Sequence, residues 1–405
     1  MEKRPRDRIP NGCERLPLPM RYLRALFAGD SSSRKLPTID LVPTCVRSFC
    51  KINLGLAVGP ARPDGFHGLT TAYQTLALHD LVTVTAHRAP ATEITLEADH
   101  PGVPCSAAGN CDRNTAYKMV AGALRALELT AEVHLQIEKR LPVQGGLGAG
   151  SANAAAALLG LERELGIALP GPGRLALAAE VGSDVPLFLL GGTVLGLNRG
   201  ESVFPLPDSP ALPVVVAIPS VGVSTAQAFR DLDAQMDAGQ SHRITPDLTG
   251  SSPADRLEQL SRVLASVWTH TGSGRETTGI ANPFSLQGSL QESRASESPQ
   301  RDTSDLAENP LLALVRTGVE NDFESVAFRQ HPSLRDLKCA LAGSSEHGTS
   351  QALYAALSGS GSALFGIYGS PEAAREAQQR VQSLGTRALL TETLPRHEYW
   401  GRMFA

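Results

Sequence analysis

Alternating hydrophobic and polar positions predict several strands along the chain. In EVHLQIE, residues 132–138, Val133, Leu135 and Ile137 share one face, whereas charged and polar side chains occupy the other. This period of two is that of a half-buried strand. Other short segments rich in branched residues are predicted strands as well: CKINLGLAV, LVTVTA, EITLEA and PVVVAI.

Segments with apolar residues at helical spacing lie between these strands. NTAYKMVAGALRALEL begins with Asn114, whose side chain can cap a helix, and a second helix is predicted after a glycine-rich loop, to about Leu165. SPEAAREAQQRVQSLG predicts a helix with Ser370 as N-cap and Gly385 as its stop, and TRALLTETL is predicted to close the chain as a strand. Strands and helices mix without strict βαβ order, which favours an α+β fold over a doubly wound sheet.

Composition narrows the class of protein. The 405 residues are 42% hydrophobic and 19% charged, enough for one large domain or two ordinary ones with a substantial core. A net charge of −4 and 5% aromatic residues give no reason to expect nucleic acid, and no apolar run reaches the roughly 18 residues of a membrane span. The six cysteines form no CxxC pair and no secretory segment is evident, so we predict reduced thiols and a cytoplasmic location.

Two stretches depart from this pattern. Residues 1–45 are rich in Arg and Pro with little periodicity, and their acidic residues favour a poorly ordered extension, or a start site assigned too early, over a transit peptide. Residues 237–309 are rich in Ser, Gln, Glu and Gly and are predicted to form a low-complexity insertion. We place one lobe over residues 46–209 and a second over residues 210–405, which contains the insertion.

The segment LPVQGGLGAGSANAAAALLG, residues 141–160, puts four glycines before an alanine-rich helix. A Walker A loop needs Lys after its last glycine, but Gly150 is followed by Ser151 and Ala152. A dinucleotide fingerprint leaves its strand directly, whereas KRLPVQ separates the strand from Gly145. Two interpretations stay open: backbone amides at a helix N-terminus that bind an anion, or a tight turn that lets a helix pack closely on a sheet.

Three separate motifs, taken in order, resemble those of the GHMP kinase superfamily. They are CKINLGLAVGPARPDGFHGL, the glycine loop with its P-x-x-x-G-L-G-x-x-S pattern, and the late LSGSGSALF. KINL with RPDGFH, KRLPVQGGLGAGSANAA, GSDVPLFLLGGT, RGE and VSTAQAF are together similar to one family within it, the 4-diphosphocytidyl-2-C-methyl-D-erythritol kinases. The resemblance implies a two-lobed α+β fold, with an N-terminal ribosomal protein S5-like lobe that binds nucleotide, a C-terminal ferredoxin-like lobe and an active site in the cleft between them.

The resemblance also implies a reaction and its catalytic pair. ATP, with Mg²⁺ expected on its phosphates, would phosphorylate the 2-hydroxyl of a small-molecule diphosphocytidyl substrate. Asp184 is implied as the base that orients the hydroxyl and takes its proton, and Lys51 is implied to face both Asp184 and that hydroxyl. Without the resemblance, Asp184 would be interpreted as a capping or solvated residue and Lys51 as a surface lysine. In a loose phosphoryl-transfer transition state, positioning and charge neutralisation dominate, which suits a carboxylate beside an ammonium. Metal ligands and the choice between monomer and dimer are left open.

By the same resemblance, the nucleotide binds the glycine loop and three residues outside it. Family members usually carry a second serine after Ser151, where this chain has Ala152, so one of two hydroxyls is missing. The implied ATP-binding residues are Pro142, Val143, Gln144, Gly145, Gly146, Leu147, Gly148, Ala149, Gly150, Ser151, Ala152, Lys139, Asn153 and Asn114.

Recognition of the cytidine is implied for aromatic residues. The resemblance has the ring of Phe66 stack on cytosine, His67 read the edge of the base and Phe229 form the opposite wall. Family members often have Tyr in place of Phe66, so the ring face is kept and the hydrogen bond of the phenol is lost. Asn53 returns to the same face of its strand as Lys51 and is expected to contact the substrate.

Two other functions fit part of these features. Homoserine- and mevalonate-type GHMP kinases share the glycine loop but not RPDGFH joined to GSDVP. A non-catalytic nucleotide-binding regulatory protein on the same scaffold would account for the extension and the insertion, but the presence of both Lys51 and Asp184 argues against it. Turnover of a cytidine-bearing acceptor distinguishes these alternatives.

Overall fold

The computed structural model describes residues 42–62, 65–143, 145–237, 320–344 and 350–405. Gln144, nearly all of the predicted extension and nearly all of the predicted insertion lie outside the described residues, as do the helices predicted in DRLEQLSRVLASVW and LLALVRTGV. The described residues from Pro43 onward belong to one compact unit. Within them, every helix is too short or too polar to cross a membrane.

A large mixed sheet is built around one long hairpin. Its strands, in the part of the chain that the structure describes, are β1 (Thr44–Ala61), β2 (His67–Arg88), β3 (Glu93–Ala98), β4 (Ala131–Glu138), β5 (Thr193–Asn198) and β6 (Ser202–Pro205). β1 and β2 are antiparallel along nearly their whole length, and β2 also pairs with β4 near its end and with β5 near its start. β3 is parallel to β4, and β6 is antiparallel to β5. The predicted alternation of β4 is confirmed. Buried positions alternate with exposed or half-buried ones along the whole strand.

The second sheet is antiparallel and has the order β10-β7-β9-β8. Its strands are β7 (Pro213–Ile218), β8 (Tyr354–Leu357), β9 (Leu364–Ile367) and β10 (Arg387–Glu392). The motif LSGSGSALF thus runs from the end of β8 through a glycine-containing turn into β9.

The helices cover the outer faces of the two sheets. They are α1 (Thr115–Ala126), α2 (Ala149–Leu165), α3 (Gly171–Val181), α4 (Thr225–Asp237), α5 (Glu324–Gln330), α6 (Pro332–Ala342), α7 (Pro371–Ser383) and α8 (Arg396–Gly401), with short 3-10 helices at Cys111–Arg113 and Pro186–Leu189. Two predicted caps are confirmed: the Asn114 side chain accepts from the Ala116 amide, and that of Ser370 from the Ala373 amide. Each satisfies a backbone donor that a helix leaves unpaired at its start.

Three clusters of buried apolar side chains hold these layers together. One lies between the first sheet and α1 and α2, and another between the second sheet and α4 to α7. The third joins the sheets: Ile52 and Leu54 of β1 lie in one cluster with Val214 and Val216 of β7 and Phe365 of β9. Because β1 belongs to this junction, polar side chains on β1 can face a cleft between the two sheets.

The strand predicted in TRALLTETL is confirmed as β10, but it is not the last element of the described chain. After β10 the chain forms α8, and its last residues return to the first sheet, where Val46 and Phe404 form a β-bridge. Leu394, Tyr399 and Met403 are buried in the first core, and the Tyr399 hydroxyl donates to the Phe188 carbonyl at 2.6 Å. Six residues are too few to show a helical repeat, so this helix depends on long-range packing.

Candidate active site

The glycine loop connects β4 to α2 and lies against the turn between β8 and β9. Gly146 has φ of +83°, and a Cβ built there would lie 2.2 Å from the Ser358 carbonyl oxygen. Only glycine fits that backbone conformation and that approach without strain. The Ser358 hydroxyl donates to the Gly146 carbonyl at 3.0 Å, and the Ala363 amide donates to the Gly145 carbonyl at 3.1 Å. Two of the three sequence motifs therefore meet in space.

The loop also lines a cavity of about 330 Å³, which we call the first cavity. Gly148 is the N-cap residue of α2, so the first amides of a 17-residue helix open onto it. Ala152 is buried in α2 and does not line it. The predicted residues that the structure brings together here are Pro142, Val143, Gly145, Gly146, Leu147, Gly148, Ala149, Gly150, Ser151, Asn114, Lys139 and Asn153.

Three of these side chains are already engaged with neighbours. Asn114 caps α1 and donates to the Pro104 carbonyl at 3.0 Å. Lys139 forms an ion pair with Asp80, a carboxylate that is completely buried. Asn153 donates to the same carboxylate at 3.2 Å and accepts from the Ser48 hydroxyl at 2.6 Å. Sequence reasoning did not find Asp80, although it lies at the middle of the mainly apolar segment LALHDLVTV.

Lys51 and Asp184 form an ion pair, with 3.4 Å between Nζ and Oδ2. Lys51 lies on β1 and is almost fully buried, whereas Asp184 lies in the turn before the 3-10 helix Pro186–Leu189 and is one-third exposed. Lys51 also donates to Asn53 Oδ1 at 2.7 Å. Because these residues are two apart on one strand, they share a face, as predicted.

A second cavity, of about 450 Å³, contains this ion pair. Gly146 and Gly148 line both cavities, so the glycine loop is their common wall. The predicted residues Asn53, Phe66, His67 and Phe229 all line the second cavity. Sequence reasoning missed several others that the structure adds: Tyr73, Ser183, Arg199, Thr225, Phe323, Gly359 and Ser360.

The aromatic residues of the second cavity contact side-chain partners in this structure. The rings of His67 and Phe229 are stacked, 4.9 Å apart with an interplanar angle of 27°. His67 also has Nε2 at 3.5 Å from Asp233 Oδ2. Phe66 is half exposed, and the Arg199 guanidinium lies 5.0 Å from the centre of its ring. Phe229 and Phe66 therefore each contact a planar side chain, that of His67 and of Arg199 respectively.

The described residues contain no group of three or more His, Cys, Asp or Glu that could hold a metal ion. Mg²⁺ does not require such a group, because it often binds through one or two protein oxygens together with phosphates and water. The Ser151 hydroxyl lies in the first turn of α2, and its Oγ is 4.0 Å from where a Cβ on Gly182 would be. The Ser151 hydroxyl therefore lies beside the turn that carries Asp184. This position suits a metal ion that enters the site bound to phosphates.

Comparison with known proteins agrees with this geometry. The families described as "GHMP kinases N terminal domain" and "GHMP kinases C terminal" match residues 114–192 and 306–387. A 4-diphosphocytidyl-2-C-methyl-D-erythritol kinase of Solibacter usitatus is 36% identical over 323 residues, which cover 80% of this chain and 80% of that protein. The enzyme of that name from Synechococcus sp. is 33% identical, over 88% of this chain and 92% of its own.

One solved structure is similar over nearly its whole length. A crystal structure of 4-(cytidine 5'-diphospho)-2C-methyl-D-erythritol kinase aligns with a TM-score of 0.56 and 25% identity, covering 86% of this chain and 98% of the other. The α+β, two-lobed architecture predicted from the sequence is thereby confirmed.

Proposed function

Because the chain belongs to the 4-diphosphocytidyl-2-C-methyl-D-erythritol kinase family of GHMP kinases, we propose that it transfers the γ-phosphoryl group of ATP to the 2-hydroxyl of 4-diphosphocytidyl-2-C-methyl-D-erythritol. This reaction belongs to the non-mevalonate route to isoprenoid precursors. The observation that carries the proposal is the Lys51–Asp184 pair in a cavity that shares the glycine loop with a neighbouring cavity. One cavity takes the donor, the other takes the acceptor, and the pair lies where they meet.

The triphosphate is held by the glycine loop. Backbone amides and the positive end of the α2 dipole favour an anion there. Mg²⁺, when bound with ATP, would neutralise charge that develops on the phosphates. Of this chain's own residues, Ser151 offers a hydroxyl oxygen to such an ion. Lys139 is paired with Asp80, so its charge is balanced within the protein rather than directed at the phosphates.

The acceptor alcohol is oriented by Asp184 and Lys51. The carboxylate of Asp184 accepts a hydrogen bond from the 2-hydroxyl and takes its proton as the oxygen attacks the γ-phosphorus, while the bond from that phosphorus to the β,γ-bridging oxygen breaks and ADP leaves. The Lys51 ammonium, 3.4 Å from that carboxylate, offsets negative charge at the reacting oxygens. Since little proton removal is needed early in a loose transition state, alignment of the hydroxyl is the larger part of the contribution.

A phosphate-transfer assay tests this function directly. The protein is incubated with ATP labelled in its γ-phosphate and, in separate reactions, with 4-diphosphocytidyl-2-C-methyl-D-erythritol, mevalonate or homoserine. We expect kcat/KM for the cytidine-bearing alcohol to exceed the others by at least about 100-fold, a difference of roughly 2.7 kcal/mol. Preferred turnover of another alcohol would reassign the substrate, and ATP binding without transfer to any of them would indicate the regulatory alternative.

Arg199 is expected to contact the diphosphate of this substrate. Its guanidinium lies in the same cavity as Phe66 and Asp184, the sites proposed for cytosine and for the reacting hydroxyl, and the two phosphates lie between these groups in the substrate. An Arg hydrogen bond to a charged group contributes about 1.5–3 kcal/mol. Arg199→Gln is therefore predicted to raise KM for the substrate at least about tenfold, with kcat changed less than threefold, as measured by steady-state kinetics.

Inhibition by cytidine diphosphate and by cytidine distinguishes a contact of Arg199 with the phosphates from a contact with the base. In Arg199→Gln, inhibition by cytidine diphosphate should weaken about tenfold, whereas inhibition by cytidine should not change. Arg88→Gln, at the exposed end of β2, is the matched control. If both inhibitors weaken equally, Arg199 acts on the cytosine site instead of the phosphates.

We also infer a cytoplasmic enzyme whose only partners in the reaction are small molecules. Three points stay predictions from the sequence: this location, the absence of nucleic-acid and membrane partners, and an oligomeric state of monomer or dimer.

A further inference from the structure

Tyr73 of β2 contacts the turn that carries Asp184. It is buried, with 2% of its surface exposed, and its hydroxyl donates a hydrogen bond to Asp184 Oδ1 at 3.0 Å. Its backbone pairs with Asn53 on β1 and Val194 on β5, so the residue stands in the centre of the first sheet. A rigid strand therefore presents a phenol to a residue that lies in a turn.

Two glycines make room for this phenol. A Cβ built on Gly196 would lie 2.5 Å from Tyr73 Cε2, and one built on Gly200 would lie 2.4 Å from the Tyr73 hydroxyl oxygen. Gly200 also has φ of +101°, which other residues rarely adopt. The space left by the two glycines thus accommodates the hydroxyl as well as the ring. A phenylalanine would fill the space around the ring but would lack the oxygen.

The two oxygens of Asp184 have different partners. Oδ1 accepts from Tyr73, and Oδ2 lies 3.4 Å from Lys51 Nζ. A carboxylate held at one oxygen by a directional bond cannot rotate freely about its Cβ–Cγ bond, so the other oxygen keeps its direction toward the second cavity. Lys51 is itself held by its hydrogen bond to Asn53.

From this arrangement we propose that Tyr73 is a positioning residue for phosphoryl transfer, which fixes the plane of the Asp184 carboxylate so that Oδ2 meets the acceptor hydroxyl. The inference rests on the proposed function, in which Asp184 is the base. Tyr73 lines the second cavity, but its hydroxyl is bonded to Asp184, and it acts on the reaction through that carboxylate.

The phenol keeps its proton under working conditions. Burial, and after it the negative charges of Asp184 and Glu201, raise the pKa of Tyr73 well above its ordinary value of 10. The hydroxyl is therefore a donor whenever Asp184 is a carboxylate, and the hydrogen bond does not depend on pH in the neutral range.

Tyr73→Phe removes the hydroxyl and leaves the ring. We expect kcat to fall about 10- to 100-fold, while KM for both substrates changes less than threefold, because ground-state contacts are unaffected. In an Asp184→Asn background the same substitution should change kcat less than twofold, because the carboxylate that it positions is gone.

Tyr368→Phe is the matched control. Tyr368 is also fully buried and its hydroxyl donates to the Leu341 carbonyl at 2.7 Å, but it belongs to the second core, away from the cavities. This variant should unfold at lower urea concentration with kcat unchanged. A structural role for Tyr73 would produce the same result, namely lower stability and unchanged turnover.

A second measurement does not require activity. The hydrogen bond predicts that Tyr73→Phe and Asp184→Ala, which removes the acceptor oxygens, are non-additive in urea unfolding, with a coupling of at least about threefold in the unfolding equilibrium constant. Wild-type turnover tests the proposed function separately. Additive unfolding effects, a Tyr73→Phe enzyme with kcat within twofold of wild type, or an equal loss of kcat in the Asp184→Asn background would each overturn the proposal.

Discussion

Asp184→Asn will lower kcat by at least about 100-fold, and up to about 10,000-fold, while the protein stays folded. General-base assistance contributes this range, equivalent to roughly 2.7–5.5 kcal/mol of transition-state stabilisation. The amide keeps the size of the carboxylate but cannot take the proton of the acceptor hydroxyl, and it removes the charge that faces Lys51 at 3.4 Å. Steady-state phosphate transfer at saturating ATP and acceptor measures the loss.

The control for this variant is Asp336→Asn, an exposed acid on α6. It should retain wild-type kcat. Circular dichroism and urea unfolding should show that Asp184→Asn keeps the native fold, because Asp184 is one-third exposed and lies in a turn rather than in the core. Turnover within tenfold of wild type would contradict the assignment of Asp184 as the base.

Asp80→Ala is predicted to cost about 3–5 kcal/mol of unfolding free energy, the range for removing one partner of a buried ion pair. The Asp80 carboxylate is completely buried and accepts from Lys139, from the Arg140 and Leu141 amides at 2.8 and 2.9 Å, and from Asn153. Alanine leaves the buried Lys139 ammonium, the buried Leu141 amide and the partly buried Arg140 amide without this acceptor. Urea unfolding measures the loss, and KM for ATP should rise because the cluster lines the first cavity.

Two further variants test the cause. Asp80→Ala combined with Lys139→Met should recover part of the lost stability, because the unpaired buried cation is removed. Glu138→Ala, which breaks the exposed pair with Arg140, should cost about 1 kcal/mol or less. A cost for Asp80→Ala no greater than that of Glu138→Ala would show that the buried cluster does not hold the end of β4 to α2.

Local patterns predict most of the regular structure. Strict alternation predicts β4, the Asn114 and Ser370 caps fix the starts of α1 and α7, and the glycine-to-alanine change predicts α2. By contrast, TVLGLN and SVFP, the later β5 and β6, are short, and β5 contains Gly196, which weakens a strand pattern. β5 forms because β2 offers it an edge, and β6 pairs in turn with β5; both pairings depend on long-range contacts.

The residues of the candidate site likewise could be predicted from the sequence only in part. The glycine loop identifies itself by composition, but Lys51 and Asp184 are unremarkable residues whose pairing follows from the family resemblance. Asp80 had a signal, since an acid within an apolar run must be paired to be buried. Tyr73 had none, because tyrosine is common in strands and only the fold reveals that its hydroxyl meets a carboxylate.

The return of residues 394–405 to the first sheet has a consequence for biosynthesis. The strands of that sheet leave the ribosome early, yet Leu394, Tyr399 and Met403, which complete its core, are translated after every strand of the second sheet. The apolar surface that they cover must therefore stay exposed, or be shielded by a chaperone, during synthesis of the second sheet and the predicted insertion. A nascent chain that stalls before Leu394 would keep this surface uncovered and be open to proteolysis.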